Sequence, residues 1–407
     1  MTTAAVLPEH IERATERQPA ARAAIAAALG AGASHAYLFA GPGGADMRAA
    51  ARALAAELLA IGAPDAESAR RRALAEPSPH PDLVWLTPPG AQHLVEEVRE
   101  QVIKGIAYRP FEGERRVFVI EAAESMADES QNALLRTLEE PPAFAHLLLL
   151  SAEPDGLKPT VTSRCQWVRF AALTPEAIEE LLENEEGLTP KGQVEGLSRL
   201  GSDPSTADPP PASLSAPSLR AAARLANGDA ERARFLLSEH GVALRAAVER
   251  WAAAIGAGDV GGSPWAEILE LAEAEGAEAG AEAERAVVAR GEAAGGAVAK
   301  RAARDAPAAG RRAGRRRRTE VLDLALGLLG AWFRDLSAVA EGVSAAALNA
   351  DRIAQLEGAA KGLDPRRPRR AAELTLEARR RLRVNVSEEL ALEALSFRAE
   401  FLLRTAS

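Results

Sequence analysis

The chain has 407 residues, enough for two or three domains that each bury a core. It is 47 % hydrophobic but only 4 % aromatic, which favours helices packed through small side chains over a thick aromatic core. A formal net charge of −9 excludes a protein that coats DNA by overall basicity, and the single cysteine, Cys165, excludes an internal disulfide and any multi-cysteine zinc site. No signal peptide and no run of about 20 apolar residues is present, so a cytoplasmic protein without a membrane span is expected.

In chain order, an apolar run at 37–40 reads as a short buried strand. It runs into Gly41-Pro42-Gly43-Gly44-Ala45-Asp46-Met47-Arg48, and 49–60 then carries a helical pattern. Strand, glycine-rich turn and helix are the setting in which G-x-x-x-x-G-K-[ST] holds the phosphates of a nucleotide. Gly41 fits and Gly44 keeps the turn glycine-rich. Asp46, however, replaces the second glycine, Met47 stands in the place of the phosphate-binding lysine, and Arg48 stands in the place of the Mg²⁺-binding hydroxyl. Asp46 also brings a negative charge to a helix N-terminus that should receive an anion. The frame of a nucleotide site is therefore expected without its phosphate chemistry.

Further apolar runs lie at 83–86, 117–121, 147–151 and 167–170. They are continuous rather than alternating, as strands covered on both faces of a parallel sheet are. Residues 128–138 predict a helix with Ala133, Leu134, Leu135 and Leu138 as its apolar residues, stopped by Pro141-Pro142. After Phe170 the strand signal ends. Thr174-Pro175-Glu176 is a helix start with threonine as N-cap and proline at the first helical position, and a helix resumes at 219–235. Residues 201–218 are rich in Pro, Ser and Asp and predict a flexible insertion. Residues 276–318 are Ala/Glu/Gly-rich and then Arg-rich: a charged helix or a disordered arm, with Gly291, Gly295, Gly296 and Gly310 arguing against one long helix. Leu322, Leu326, Leu329 and Phe333 share a face of the next helix, and a last helix carries Leu390, Leu392, Leu395, Phe397 and Phe401. The order predicts an α/β fold followed by an all-α region.

Several segments carry a resemblance. His35-Ala36-Tyr37-Leu38-Phe39 precedes Gly41-Pro42, and His80-Pro81-Asp82 precedes the second strand. The run from Asn132 to Pro142 (NALLRTLEEPP) is the most specific, and Thr162-Ser163-Arg164-Cys165-Gln166 follows it. Near the end, Trp332-Phe333-Arg334-Asp335-Leu336, Val384-Asn385-Val386 and Leu390-Ala391-Leu392-Glu393 fit more loosely. Together they resemble the delta-prime family of bacterial DNA polymerase III clamp-loader subunits. That resemblance implies an AAA+ parallel α/β module over 1–171, a helical lid over 172–240 and a helical collar over 241–407. It implies a subunit of the polymerase holoenzyme that works with gamma/tau-type ATPase subunits and a delta subunit, and meets primed DNA and the sliding clamp through the complex.

The same resemblance assigns roles. Arg164, within Ser163-Arg164-Cys165, would reach into a neighbouring subunit's ATP site and stabilise γ-phosphate charge. The second nucleotide element should end in two acids, yet Glu121 replaces the usual Asp and Ala122 stands at the catalytic Glu position. Phosphoryl transfer depends on positioned charge, so no intrinsic ATPase and no bound ATP are expected. Many relatives carry a four-cysteine zinc module that 60–79 lacks, so no zinc is expected and this segment should be less firmly fixed.

Other residues have plainer readings. Cys165 reads as a small buried hydrophobe rather than a nucleophile. His35 and His80 lack metal-ligand partners in sequence, and Ser151 reads as a strand-end hydroxyl. Arg232 could be a lid sensor or a surface arginine. The runs at 311–318 and 366–370 read first as solvated or disordered charge blocks and second as DNA contacts. Two other functions stay open: an ATPase with an unusual phosphate loop, and a stand-alone DNA-binding adaptor.

Overall fold

The computed structural model describes residues 7–42, 45–76, 78–90, 92–184, 218–294, 296–382 and 386–404. It divides into two compact units, Met1–Ala172 and Leu173–Ser407. The expected insertion at 201–218 lies, but for Ser218, outside the described residues, as do Gly44, Val384 and Asn385.

The first unit is built on five strands: β1 (Ala36–Ala40), β2 (Leu83–Leu86), β3 (Arg116–Ile120), β4 (Ala145–Ser151) and β5 (Gln166–Arg169). They form one sheet in the order β2-β3-β4-β1-β5, with every pair parallel. β1, β3 and β4 are buried along their whole length, which explains their unbroken apolar sequences. The strands lie within a residue or two of the apolar runs read from the sequence.

Helices α1 (Glu9–Ala14), α2 (Pro19–Ala31), α3 (Ala45–Ala60) and α4 (Ala66–Leu74) come first. Helix α5 (Val95–Glu97) continues as a wider turn, Val98–Ile103, and α6 (Asp128–Glu139) and α7 (Pro159–Thr162) complete the unit. Two cores flank the sheet. One gathers Tyr37, Phe39, Leu54, Val119 and Leu150; the other gathers Leu38, Phe118, Leu134, Leu149 and Val161. Alternate residues of β1 thus feed opposite cores, the period-two rule of a strand.

The segment expected to be loose for want of a metal is tied instead by side chains. Asp65 caps α4 by accepting from Ser68 N, Arg70 Nε donates to Glu57 Oε1 at 2.8 Å, Arg72 pairs with Glu112 through both nitrogens of its fork, and Arg52 Nη1 donates to Ala75 O at 2.9 Å.

In the second unit the described residues contain helices and no strand: α8 (Pro175–Glu183), α9 (Leu219–Leu225), α10 (Ala230–Leu237), α11 (Glu239–Ala257), α12 (Ala266–Ala294), α13 (Gly296–Ala340), α14 (Ile353–Ala360), α15 (Arg366–Leu382) and α16 (Glu388–Arg404). Thr174 caps α8, its side chain accepting from Ala177 N, with Pro175 at the first position. One continuous core runs through Trp251, Phe333, Leu329, Leu356 and Leu392. A charged network is buried beside it. Arg245 holds Asp351 at 2.7 and 2.9 Å and Glu249 at 3.1 Å, and Arg352 also reaches Glu249 at 3.1 Å.

The 276–318 stretch is a helical pair, not a disordered arm. Helix α12 ends at Ala294 and α13 begins at Gly296, whose φ is 56°, but Gly310 and Gly314 sit inside the 45-residue α13. Their role there is close approach. A Cβ on Gly314 would lie 2.7 Å from Gly276 O, and one on Gly310 would lie 2.8 Å from Gly280 O. Helix α12 is acid-rich and the first half of α13 is basic, so the end of the arginine run meets carboxylates of α12. Arg317 Nη2 donates to Glu275 Oε2 at 2.7 Å, and Arg318 pairs with Glu273 and Glu388. The reading of that run as a solvated block therefore fails for Arg317 and Arg318.

Candidate functional site

Parallel strand order places the two segments read as nucleotide elements side by side at the carboxyl edge of the sheet. Ala40 is in register with Ser151 on β4 and with Arg169 on β5, and Ile120 pairs with Leu149 and Leu86. The residues that leave these strand ends, Gly41 and Glu121, thus sit where an open α/β sheet receives its ligand. Gly41 N donates to Ser151 O at 3.2 Å, and an added Cβ would come within 2.2 Å of Phe170 O. That close crossing requires glycine at 41 whether or not a phosphate binds.

Beyond Gly41 the turn enters α3. Met47 is 4 % exposed and joins the core that contains Tyr37, Phe39 and Leu150. The position that would carry the lysine charge is thus an apolar core position. Asp46 lies in the first turn of α3, where Gln18 Nε2 approaches Oδ2 at 3.5 Å. The same amide spans to Ala171, donating to its O at 3.2 Å and accepting from its N at 2.9 Å. Gln18 therefore ties the start of the loop helix to the end of the unit. Arg48 is exposed.

Glu121 follows β3 and accepts from Trp85 Nε1 at 2.8 Å. Arg52 from α3 lies over that indole, 4.3 Å from its centroid. Ala122 takes a left-handed backbone, φ 44° and ψ 50°, a conformation that costs an alanine energy. Its methyl group offers nothing to polarise water. The Ser151 hydroxyl is buried and has no hydrogen-bond partner among the described residues.

Arg164 lies two residues past α7, just before β5 at its amino end. Its Nη1 donates to Thr160 O at 2.9 Å and its Nη2 to Glu139 Oε1 at 2.7 Å. The Arg164 side chain is 35 % exposed and that of Glu139 51 %. Ser163 continues the turn, its hydroxyl donating to Thr160 O at 3.4 Å. Cys165 is buried and donates to Val161 O at 3.4 Å; burial pushes its thiol up to about 12. A thiol held neutral in this way is no nucleophile.

The histidines have structural posts. His80 Nδ1 accepts from Asp82 N at 3.2 Å, and the fully buried Asp82 accepts from Phe111 N and Glu112 N, which pins the 108–115 loop. Among the described residues one group has metal-ligand spacing, His240, Glu275 and Glu278, and Glu275 is already held by Arg317. Arg232 is half-buried, with its backbone N directed at the Asp229 cap of α10.

Gln18, Trp85 and Arg52 were not singled out from the sequence. Each acts across strands or helices far away in the chain, and only the register of β2 on β3 would have placed Trp85 beside Glu121. Glu139 lay inside the quoted NALLRTLEEPP run, but its partner is 25 residues further on.

A family profile described as DNA polymerase III, delta subunit, matches residues 19–174. This match lies almost entirely within the first unit. The DNA polymerase III subunit delta' of Bacillus subtilis is 34 % identical over 154 residues, covering 37 % of this chain and 46 % of that protein. The subunit of the same name from Pseudomonas aeruginosa is 38 % identical over 156 residues, covering 36 % and 46 %. The chain thus spans about half the length of these delta-prime relatives. The DNA polymerase III subunit tau of Escherichia coli is 33 % identical over 153 residues, covering 37 % of this chain and 24 % of tau. A solved DNA polymerase III gamma subunit-related protein from Thermotoga maritima aligns over 91 % of this chain and 96 % of its own, with a TM-score of 0.34 and 15 % identity. The profile match therefore rests on the α/β unit, which holds Arg164 and the segments at 41–48 and 121–122. No helix among the described residues is long and apolar enough to cross a membrane.

Proposed function

We propose that this chain is a non-catalytic delta-prime subunit of a bacterial clamp-loader complex, working in the cytoplasm during replication. In this reading its α/β unit gives Arg164 to the ATP site of a neighbouring gamma/tau-type subunit, residues 172–240 act as a lid, and 241–407 form the collar through which subunits assemble. A delta subunit, the sliding clamp and primed DNA are met through the complex. The observation that carries the reading is a contrast within one unit: Arg164 is anchored and open to a partner, while the lysine position is taken by Met47 at 4 % exposure. A phosphate loop without its lysine has little use for ATP, whereas an anchored arginine is what a neighbour's γ-phosphate requires.

On the same grounds the isolated protein holds neither ATP nor zinc: Met47, Arg48 and Ala122 remove three charge or ligand groups together, and 60–79 has no thiolate. Calorimetry with Mg·ATP should give no dissociation constant in the micromolar range, and elemental analysis should give no stoichiometric zinc. The test of the whole reading is purification from the native cell. Recovery with a subunit carrying an intact G-x-x-x-x-G-K-[ST] is expected; recovery alone, with salt-dependent DNA binding, would favour an independent adaptor instead.

A further inference from the structure

Arg164 is not a free surface arginine. It lies between two helix ends, and each supplies an acceptor. Helix α7 ends at Thr162, and the backbone turns once more, Arg164 N donating to Val161 O at 3.1 Å. Thr160 O then takes Nη1 of the same residue at 2.9 Å. Helix α6 ends at Glu139, because Pro141-Pro142 cannot continue it, and its last side chain takes Nη2 at 2.7 Å. Behind the arginine, buried Cys165 fixes the backbone through its contact with Val161 O. The guanidinium plane is thus set by one carbonyl and one carboxylate from separate helices. Among the described residues its remaining N–H groups make no further hydrogen bond, which leaves them for an incoming anion.

We propose that Glu139 is the positioning residue of Arg164. This rests on the reading of Arg164 as a trans-acting arginine and goes one step behind it. An arginine side chain has several rotatable bonds, and an arginine that must meet a γ-phosphate works best when it is ordered beforehand. The Thr160 contact alone leaves the fork free to pivot about Nη1. The second contact, on the other η nitrogen, removes that freedom. Glu139 therefore acts on the neighbour's rate without touching the nucleotide. The oxygen that accepts matters more than the charge, since a carboxylate close to the phosphate gives no electrostatic benefit of its own.

The test uses the complex reconstituted with the same organism's ATPase and delta subunits, with clamp-stimulated ATP turnover as the readout and assembly checked by gel filtration. Glu139→Ala should lower kcat by about 2–5-fold, the range open to one exposed ion pair, with KM for ATP unchanged. Glu139→Gln keeps an acceptor oxygen and should retain most of the rate. In an Arg164→Ala background Glu139→Ala should add nothing, because there is no side chain left to position. An unchanged or raised kcat in Glu139→Ala, or an equal loss in the Arg164→Ala background, would overturn the proposal while leaving the arginine's own role standing. An Arg164→Ala complex at full turnover would remove both.

Discussion

Trp85 Nε1 donates to Glu121 Oε1 at 2.8 Å, so the acid that follows β3 is engaged by a side chain from the neighbouring strand. Arg52 closes over the other side of the indole. Gln18 does similar work at the loop helix, spanning from Asp46 to Ala171. The segments read as nucleotide elements are thus held by contacts internal to the chain.

Met47→Lys should therefore destabilise the first unit rather than restore nucleotide binding. The site is 4 % exposed and part of an apolar core, so an amine placed there must be desolvated or force its way out. A cost of about 2–4 kcal/mol is expected, typical of a buried unpaired charge. Thermal melting together with Mg·ATP calorimetry checks this. A variant as stable as the parent that binds ATP would contradict it.

Much of the fold was legible because its signals are local. Unbroken apolar runs such as Leu147 to Leu150 marked strands buried on both faces, and Thr174-Pro175 marked a helix start. Only Gly310 was misjudged as a helix breaker, because glycine propensity is also a local quantity. Gly310 and Gly314 are packed against α12, a contact made 30 or more residues away in sequence. The candidate site divides in the same way. Lost motif residues could be read one by one, whereas Trp85 beside Glu121 and Glu139 beside Arg164 are products of register and packing.

The two units should respond to acid in different windows. In the first, burial lowers the pKa of His93 and of His146 beneath the ordinary 6.5, outweighing the backbone bonds they make to Glu121 and Ser34. The fold thus prefers them neutral. Their contribution is present above about pH 6.5 and declines below it, as the unfolded chain takes up protons first. In the second, burial would raise Asp351, but the guanidinium groups of Arg245 and Arg352 bring it below its ordinary 3.8. Its contribution lasts through neutral pH and is lost only as pH falls through the carboxylate range. Amide exchange corrected for intrinsic pH dependence should show the first unit loosening first. Asp351→Asn should cost about 3 kcal/mol at pH 7 by unmatching a buried arginine, and much less in acid.

Cys165 should be silent toward thiol reagents in the native protein. With its thiol pushed up to about 12 by burial, almost no thiolate exists at pH 8. Stoichiometric labelling should appear on unfolding. Rapid labelling of the folded chain would show a more open turn around Arg164 than is described above.

The central claim is that Arg164 acts on a neighbour's ATP, and clamp-stimulated turnover by the reconstituted complex tests it most directly. A trans-acting arginine can contribute about 10³–10⁵ in rate at one site, although the other ATP sites of the assembly mask part of that. Arg164→Ala should assemble fully and hydrolyse ATP several-fold more slowly, and Arg164→Lys should recover little, since a point charge does not reproduce the planar fork. Parental turnover in a fully assembled Arg164→Ala complex would contradict the account and leave Arg164 as a surface residue paired with Glu139.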